Sequence, residues 1–378
     1  MIGLLPPAGE PVCIRSEGDD FSPVPGYQHR FYQSGTAALA AAMCMVRKNR
    51  PDLTVPEVLV PAWGCPDLIT AALYAGLKPV LVDVQPDFHG FDEHALKEAV
   101  SEQCAAILLV NYLGIHERRQ FWRQFRDQRR PDIVLIEDNA QWWPEADEAG
   151  PLIYGDLSIC SFGRGKPVSL LGGGCLFKRA DCEQPWPEAQ AAEAGNSSFL
   201  KMRLFNLLLH PLCYRVLDVM PGLNLGQTVY HPLEGLSEMD AGRRSLLLAN
   251  IRRHEQKSRE KEVWWRDALT DVRGITLAAD RAQEGVGRLL RMPVLLEQPS
   301  QRDAVVALLK RAGIGATAMY AKPLHQIEGV AEAIPVMGAH FPAAAHYAGS
   351  MLTLPVHSGL SRQHVDEAAG VLRHTMGV

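Results

Sequence analysis

Several absences narrow the field before any motif is considered. The 378 residues contain no run of lysine or arginine, the net charge is -5 and the pI is near 6.2. Nucleic acid and anionic membrane surfaces are therefore disfavoured as partners. The eight cysteines (Cys13, Cys44, Cys65, Cys104, Cys160, Cys175, Cys182 and Cys213) form no CxxC pair and have no histidine-rich segment beside them. Neither a disulfide framework nor a metal site is expected, and a reducing cytoplasm fits this usage. No apolar run is long enough to insert stably in a membrane: the greasiest stretch, 196–236, is broken by Pro211, Pro221, Pro232 and several charges. The first 13 residues lack a basic start followed by an apolar run, so no secretion signal is expected and the mature chain should begin near residue 1.

With 47% apolar and 21% charged residues, the chain suits a soluble enzyme of one large domain or two unequal ones. From residue 31 to about 178, short apolar runs alternate with longer helical patterns. This is the rhythm of βαβ units, and it predicts an α/β fold with a mainly parallel sheet. The expected strands are Val58–Pro61, Pro79–Asp83, Ala105–Val110, Ile133–Glu137, Leu157–Phe162 and Gly174–Phe177. Stretch 196–236 reads as a helical pair packed on the domain or on a second subunit, with a greasy substrate lid or a membrane-surface contact as the competing reading. Ser237–Asp240 resembles a capping box that opens one long connecting helix through Trp265. Beyond it, a strand over Gly285–Leu295 and helices over Gln301–Ala312 and Gln363–Arg373 suggest a compact C-terminal α+β unit. The expected domains are 1–235, carrying 196–236 as an apolar insertion or linker, and 236–378.

Three places carry chemistry. Ser34-Gly35-Thr36 runs straight into an alanine-rich helical stretch, and the free N–H groups and positive dipole end of such a junction suit a phosphate; an ordinary helix cap is the alternative. Asp138 follows a buried strand, where a carboxylate needs a cation such as a protonated pyridine nitrogen. As an alternative, it only caps the next helix. Lys166, in Ser161-Phe-Gly-Arg-Gly-Lys166, stands among glycines near both, as a Schiff-base nucleophile and proton carrier would. A P-loop is excluded by Pro167 and by the glycine spacing, and the third glycine of a dinucleotide fingerprint is missing after Gly163-Arg-Gly165.

In order along the chain, YQSGTAAL, VLVPAWGCPDLITAALYAGLKPVLVDV, FDEHALKEAV, AAILLVNYLG, VLIEDNAQ, GDLSICSFGRGKPVSLLGGG, MYAKPLHQIEG and LTLPVHSGLSRQHVDEAAGVL resemble the DegT/StrS sugar aminotransferases. These are pyridoxal 5'-phosphate (PLP) enzymes of the three-layer fold type I. The resemblance implies a PLP-dependent transaminase and a homodimer with its sites at the interface. Lys166 matches the lysine that forms the Schiff base, with Gly163 where histidine is usual. Asp138 matches the partner of the pyridine nitrogen, and Gln141 the residue beside the ring hydroxyl. Gly35, Thr36 and Ser161 match phosphate contacts. The aromatic that stacks on the ring falls at Cys65, with Trp63 two residues earlier as the alternative. Tyr320 and His325 match a region that approaches the substrate, although a satisfied loop histidine explains His325 equally well.

One departure matters. Relatives carry an asparagine ahead of the long helix that reaches the partner subunit's cofactor phosphate; here the segment is Gly235-Leu-Ser-Glu-Met239. Arg164, or Arg243 and Arg244 from across a dimer, are the candidates to replace it. The implied reaction is a ping-pong transfer from glutamate or glutamine to a keto-sugar or related keto-intermediate of cell-surface glycan or secondary-metabolite synthesis. A sugar dehydratase of the same family would carry histidine in place of Lys166. A PLP-binding regulatory protein without turnover is the rival of another class.

Overall fold

A computed structural model describes residues 3–18, 21, 24–145, 153–192, 197–220, 228–334 and 340–376. Its centre is a seven-stranded sheet of β1 (Tyr27–Tyr32), β2 (Glu57–Pro61), β3 (Lys78–Val82), β6 (Cys104–Val110), β7 (Val134–Asn139), β8 (Leu157–Ser161) and β9 (Gly174–Arg179) in the order β1-β9-β8-β7-β6-β2-β3; β4 (Val84–Gln85) and β5 (Phe88–Phe91) form a separate small pair. Neighbours from β8 to β3 are all parallel, and β9 alone is antiparallel to both strands beside it. The reason is visible in β6, Cys-Ala-Ala-Ile-Leu-Leu-Val, which is buried at every position. A strand covered on both faces needs no polar alternation.

The helices are α1 (Gly35–Asn49), α2 (Asp67–Tyr74), α3 (Glu93–Ala99), α4 (Arg119–Arg129), α5 (Ser197–Leu208), α6 (Pro211–Val219), α7 (Ala241–Glu255), α8 (Glu260–Leu269), α9 (Arg302–Arg311), α10 (Val330–Ala333), α11 (Pro342–Ser350) and α12 (Arg362–Met376). Alanine is the best helix former and the smallest side chain to bury. In α1 the run Ala37–Ala42 is wholly or almost wholly buried, packed on β8 and β9. C-terminal to α8, β10 (Ile275–Leu277), β11 (Met292–Leu296) and β12 (Met351–Leu354) form an antiparallel three-stranded sheet.

The six expected strands form within one or two residues of their anticipated ends. Strand β1 was not anticipated; its Tyr-Gln-His-Arg-Phe-Tyr is mostly half-exposed at the sheet edge and lacks an apolar signature. The expected strand over Gly285–Leu295 begins only at Met292. Before it, the backbone spends its hydrogen bonds on a loop of the large sheet, with Gly287 N donating to Gly114 O (2.8 Å) and Leu290 N to Leu113 O (3.0 Å). The expected long helix is two. Ser258 Oγ accepts from Glu260 N at 3.0 Å, so a side chain competes with the helical backbone and α8 starts anew. The capping residue is Asp240 itself, which accepts from Arg243 N at 3.0 Å, while Ser237 N is held by Gln33 Oε1.

Stretch 196–236 holds the helical pair α5 and α6, with residues 196 and 221–227 outside the described residues. Met202 is buried within a core beside Phe162 and Leu247, while Leu200, Leu204, Leu207, Leu212 and Val216 stand about half to three-quarters exposed. Among the described residues, no helix is long and apolar enough to cross a membrane.

Candidate active site

The carboxyl ends of β6, β7 and β8 meet the start of α1 and α2 around one cavity. Ligands of parallel α/β sheets sit at this end. The cavity is bordered by Gly35 and Thr36 at the first turn of α1, Cys65 and Asp67 before and at the start of α2, Asp138, Gln141, Ser161, Lys166 and Tyr320. Eight of the ten residues singled out from the sequence are therefore brought together. Trp63 and His325 are not in this wall. The Trp63 indole lies behind it, wholly buried, with Nε1 donating to Tyr320 O (2.8 Å) and its ring edge-on to Tyr112, Tyr320 and Tyr347. Cys65 is thus the member of that pair that faces the cavity. His325 packs on Phe341 (ring centroids 5.2 Å apart) and its Nδ1 is buried without a partner.

Each wall residue has a local cause. Ser34 caps α1, its Oγ accepting from Ala37 N at 3.0 Å. A helix start leaves first-turn N–H groups without partners inside the helix. Gly35 is required by close approach: a Cβ there would lie 2.5 Å from Ser161 Cβ and 2.6 Å from its Oγ. Thr36 Oγ1 donates to Asp67 Oδ2 at 2.8 Å, which ties α1 to α2 across the cavity edge. Tyr320 has a left-handed backbone (φ 48°), and its hydroxyl accepts from Gln141 Nε2 at 2.9 Å, while Gln141 Oε1 accepts from Leu113 N at 3.2 Å. The amide is thereby fixed in orientation.

Asp138 is only 6% exposed, and its Oδ1 accepts from Ala140 N at 2.8 Å. Burial pushes its carboxyl pKa up to about 6, against the pull of that hydrogen bond and of the Lys166 charge. Such a carboxyl lacks a cation to hold it ionised. Burial also pushes the Cys65 thiol up to about 12, so it stays a neutral, soft wall group rather than a thiolate. The donor set fits PLP: helix N–H groups and the Ser161 hydroxyl for a phosphate, a carboxyl short of a cation for the ring nitrogen, and an amine at Lys166 for the aldehyde.

The residues set against the missing asparagine have different fates. Arg243 is committed within its own chain, paired with Asp240 and donating through Nε to Leu170 O at 3.1 Å. Arg244 lies over the Phe31 ring, 5.6 Å from its centroid. Arg164 opens onto a larger cavity that adjoins the first at Gln141, Lys166 and Tyr320. Sequence reasoning missed Asp67, Tyr112 and Arg291. Asp67 carried a weak signal as an acidic residue at a helix start, whereas the other two are placed by contacts distant in sequence.

The DegT/DnrJ/EryC1/StrS aminotransferase family model matches residues 31–184 and 235–373. The chain is 25% identical over 348 residues to a UDP-N-acetyl-3-dehydro-alpha-D-glucosamine 3-aminotransferase of Acidithiobacillus ferrooxidans, covering 91% of this chain and 83% of that one. It is 22% identical to a dTDP-4-amino-4,6-dideoxy-D-glucose transaminase of Shigella dysenteriae, covering 90% and 84%. In fold it resembles a putative sugar aminotransferase of Streptococcus pneumoniae in its PMP form, with TM-score 0.70, 20% identity and coverage of 92% and 88%. The match skips 185–234, which includes α5 and α6.

Proposed function

The chain belongs to the DegT/DnrJ/EryC1/StrS aminotransferase family and is a PLP-dependent aminotransferase; from that premise we propose that it moves an amino group from glutamate or glutamine to a keto-sugar or related keto-intermediate in two alternating half-reactions. The observation that carries this reading is a single cavity bordered by the Lys166 amine, the Asp138 carboxyl and the first turn of α1.

When bound, PLP supplies a carbonyl that reacts with amines and a ring that accepts electrons. The N–H groups of Gly35 and Thr36, with the Ser161 hydroxyl, bind the phosphate. Asp138 would hold the proton at the ring nitrogen, and Gln141, steadied by Tyr320, would meet the ring hydroxyl. Cys65 presents a soft face where relatives stack an aromatic. The Lys166 Nζ would anchor the cofactor and serve as the group that takes the donor's Cα proton. An intact Lys166 supports transamination over dehydration. A homodimer in the cytoplasm, a large domain over 1–235 and a small one over 236–378 complete the proposal.

The direct test is an absorbance titration of the holoprotein. Adding L-glutamate should bleach its visible band, and a keto-sugar acceptor should restore it. A yellow protein that keeps its band with glutamate, glutamine and every other amino donor tried would instead be a PLP-binding protein without turnover.

Gly35→Ala gives a sharper local test. The added methyl group must push α1 away from Ser161, and such overpacking costs about 1–3 kcal/mol. We expect the apoprotein to stay folded and its affinity for PLP to drop by roughly 10- to 100-fold, measured by fluorescence titration.

A further inference from the structure

The larger cavity beside Lys166 is unevenly charged. Among the described residues, its walls carry Arg164, Lys166, Arg291 and Lys310 against one carboxylate, Asp218. Asp218 is already used, its Oδ1 accepting from Lys310 Nζ at 3.0 Å. Among the described residues, neither Arg164 nor Arg291 is in an ion pair.

Arg291 is the more telling of the two. One amino group of its guanidinium donates to Thr317 Oγ1 at 2.9 Å, and that oxygen is shared with Thr353 Oγ1 at 3.0 Å. Its Nε is closed to solvent and has no acceptor. The groups that act on its charge are the hydroxyls of Tyr320 and Tyr214, with no carboxylate among them, and burial pulls its pKa down. Arg291 is half-buried with its Nε closed off, and a guanidinium partly withdrawn from water without a counter-ion is unfavourable. Proteins keep such a group where a ligand brings the opposite charge, and the planar fork of arginine matches the paired oxygens of a carboxylate or phosphate.

The position is set by the fold. The pairing of Gly287 and Leu290 with the Leu113–Gly114 loop delivers Arg291 to the start of β11, in the same cavity as Lys166. Thr317 is held from behind by β12, through Thr317 N donating to Thr353 O at 3.1 Å. In the same wall, Tyr214 and Asp218 come from α6, in the segment that the family match skips.

We propose that Arg291, oriented by Thr317, is the oxyanion anchor of the substrate cavity, receiving a carboxylate or phosphate group of a substrate that reacts at Lys166, with Arg164 as a second cation across the cavity. This rests on the transaminase reading for the role of Lys166. The two sources of the anion are the carboxylate of the amino donor and the phosphate of a sugar-phosphate or nucleotide-sugar acceptor.

The test uses the PLP-loaded protein and the variants Arg291→Met and Arg291→Lys. If the anchor holds the donor, Arg291→Met should raise the L-glutamate concentration for half-bleaching by roughly 10- to 100-fold, the worth of a charge-assisted bond, with the rate at saturation nearly unchanged. If it holds the acceptor, the glutamate titration stays put, and the rise in melting temperature that inorganic pyrophosphate gives the wild-type protein disappears in Arg291→Met. In either case Arg291→Lys should fall between wild type and Met. Overturning the proposal takes a folded Arg291→Met whose glutamate titration and pyrophosphate response both match wild type, or a loss that Arg291→Lys shares in full. A wild-type protein that answers to pyrophosphate through Arg291 but to no amino donor would refute the transaminase reading alone.

Discussion

Replacing Lys166 by alanine is expected to lower the donor half-reaction by about 10⁴-fold or more, because in the proposed reaction one side chain both anchors the cofactor and moves the proton, and general acid–base catalysis alone is worth about 10²–10⁴. The amine stands in the wall between the two cavities, shared with Gln141 and Tyr320. Removing it leaves Asp138, Gln141 and the start of α1 in place, so binding of PLP should weaken far less than turnover. Stopped-flow absorbance after mixing with L-glutamate measures the first effect and equilibrium dialysis the second. Two further readouts separate a proton carrier from a merely structural lysine. Added methylamine should restore part of the rate in Lys166→Ala, and borohydride reduction followed by peptide mapping should place the pyridoxyl group on the peptide containing Lys166 in wild type only. A Lys166→Ala protein that still turns over within tenfold of wild type would refute the assignment.

What the sequence disclosed and what it hid divide along sequence distance. That Lys166, Asp138 and Gly35 would come together at one cavity was legible because each sits in a distinctive local context: an amine in a glycine-rich turn, a carboxyl in the last residues of a buried strand, a glycine at a helix start. The parallel sheet was legible because strands buried on both faces, such as β6, are continuous apolar runs. Arg291 was not, because nothing within ten residues marks it; it acquires meaning only when the backbone from Gly287 to Leu290 docks on the Leu113–Gly114 loop. Trp63 and Cys65 could not be separated by spacing two apart. Their separation depends on the Trp63 indole finding a hydrogen-bond acceptor at Tyr320 O, far along the chain. The break between α7 and α8 was masked by good helix formers on both sides of Ser258, whose side chain decides the matter.

Asp138→Asn is expected to cost on the order of 10³-fold in turnover, comparable to removing one strong electrostatic stabiliser from an active site, and it also carries a pH signature. The amide keeps the shape and can still accept from Ala140 N, yet it cannot hold a proton at the ring nitrogen as an ionised carboxylate does. In the protein without cofactor burial pushes the Asp138 pKa up to about 6, from an ordinary carboxylate value near 3.8, because it disfavours the charge. For a carboxyl raised in the folded state the penalty is absent below about pH 4, grows as pH rises through the window between the two values, and is complete above about 6. A shift of that size corresponds to roughly 3 kcal/mol. A protonated ring nitrogen supplies the missing cation and offsets this cost. The gap in melting temperature between holo and apo protein should therefore widen from pH 5 to pH 7.5 in wild type. Asp138→Asn should lose that part of the widening and retain whatever part arises from the phosphate. Equal pH dependence in the two proteins would mean that Asp138 does not face the ring nitrogen, whatever happens to turnover.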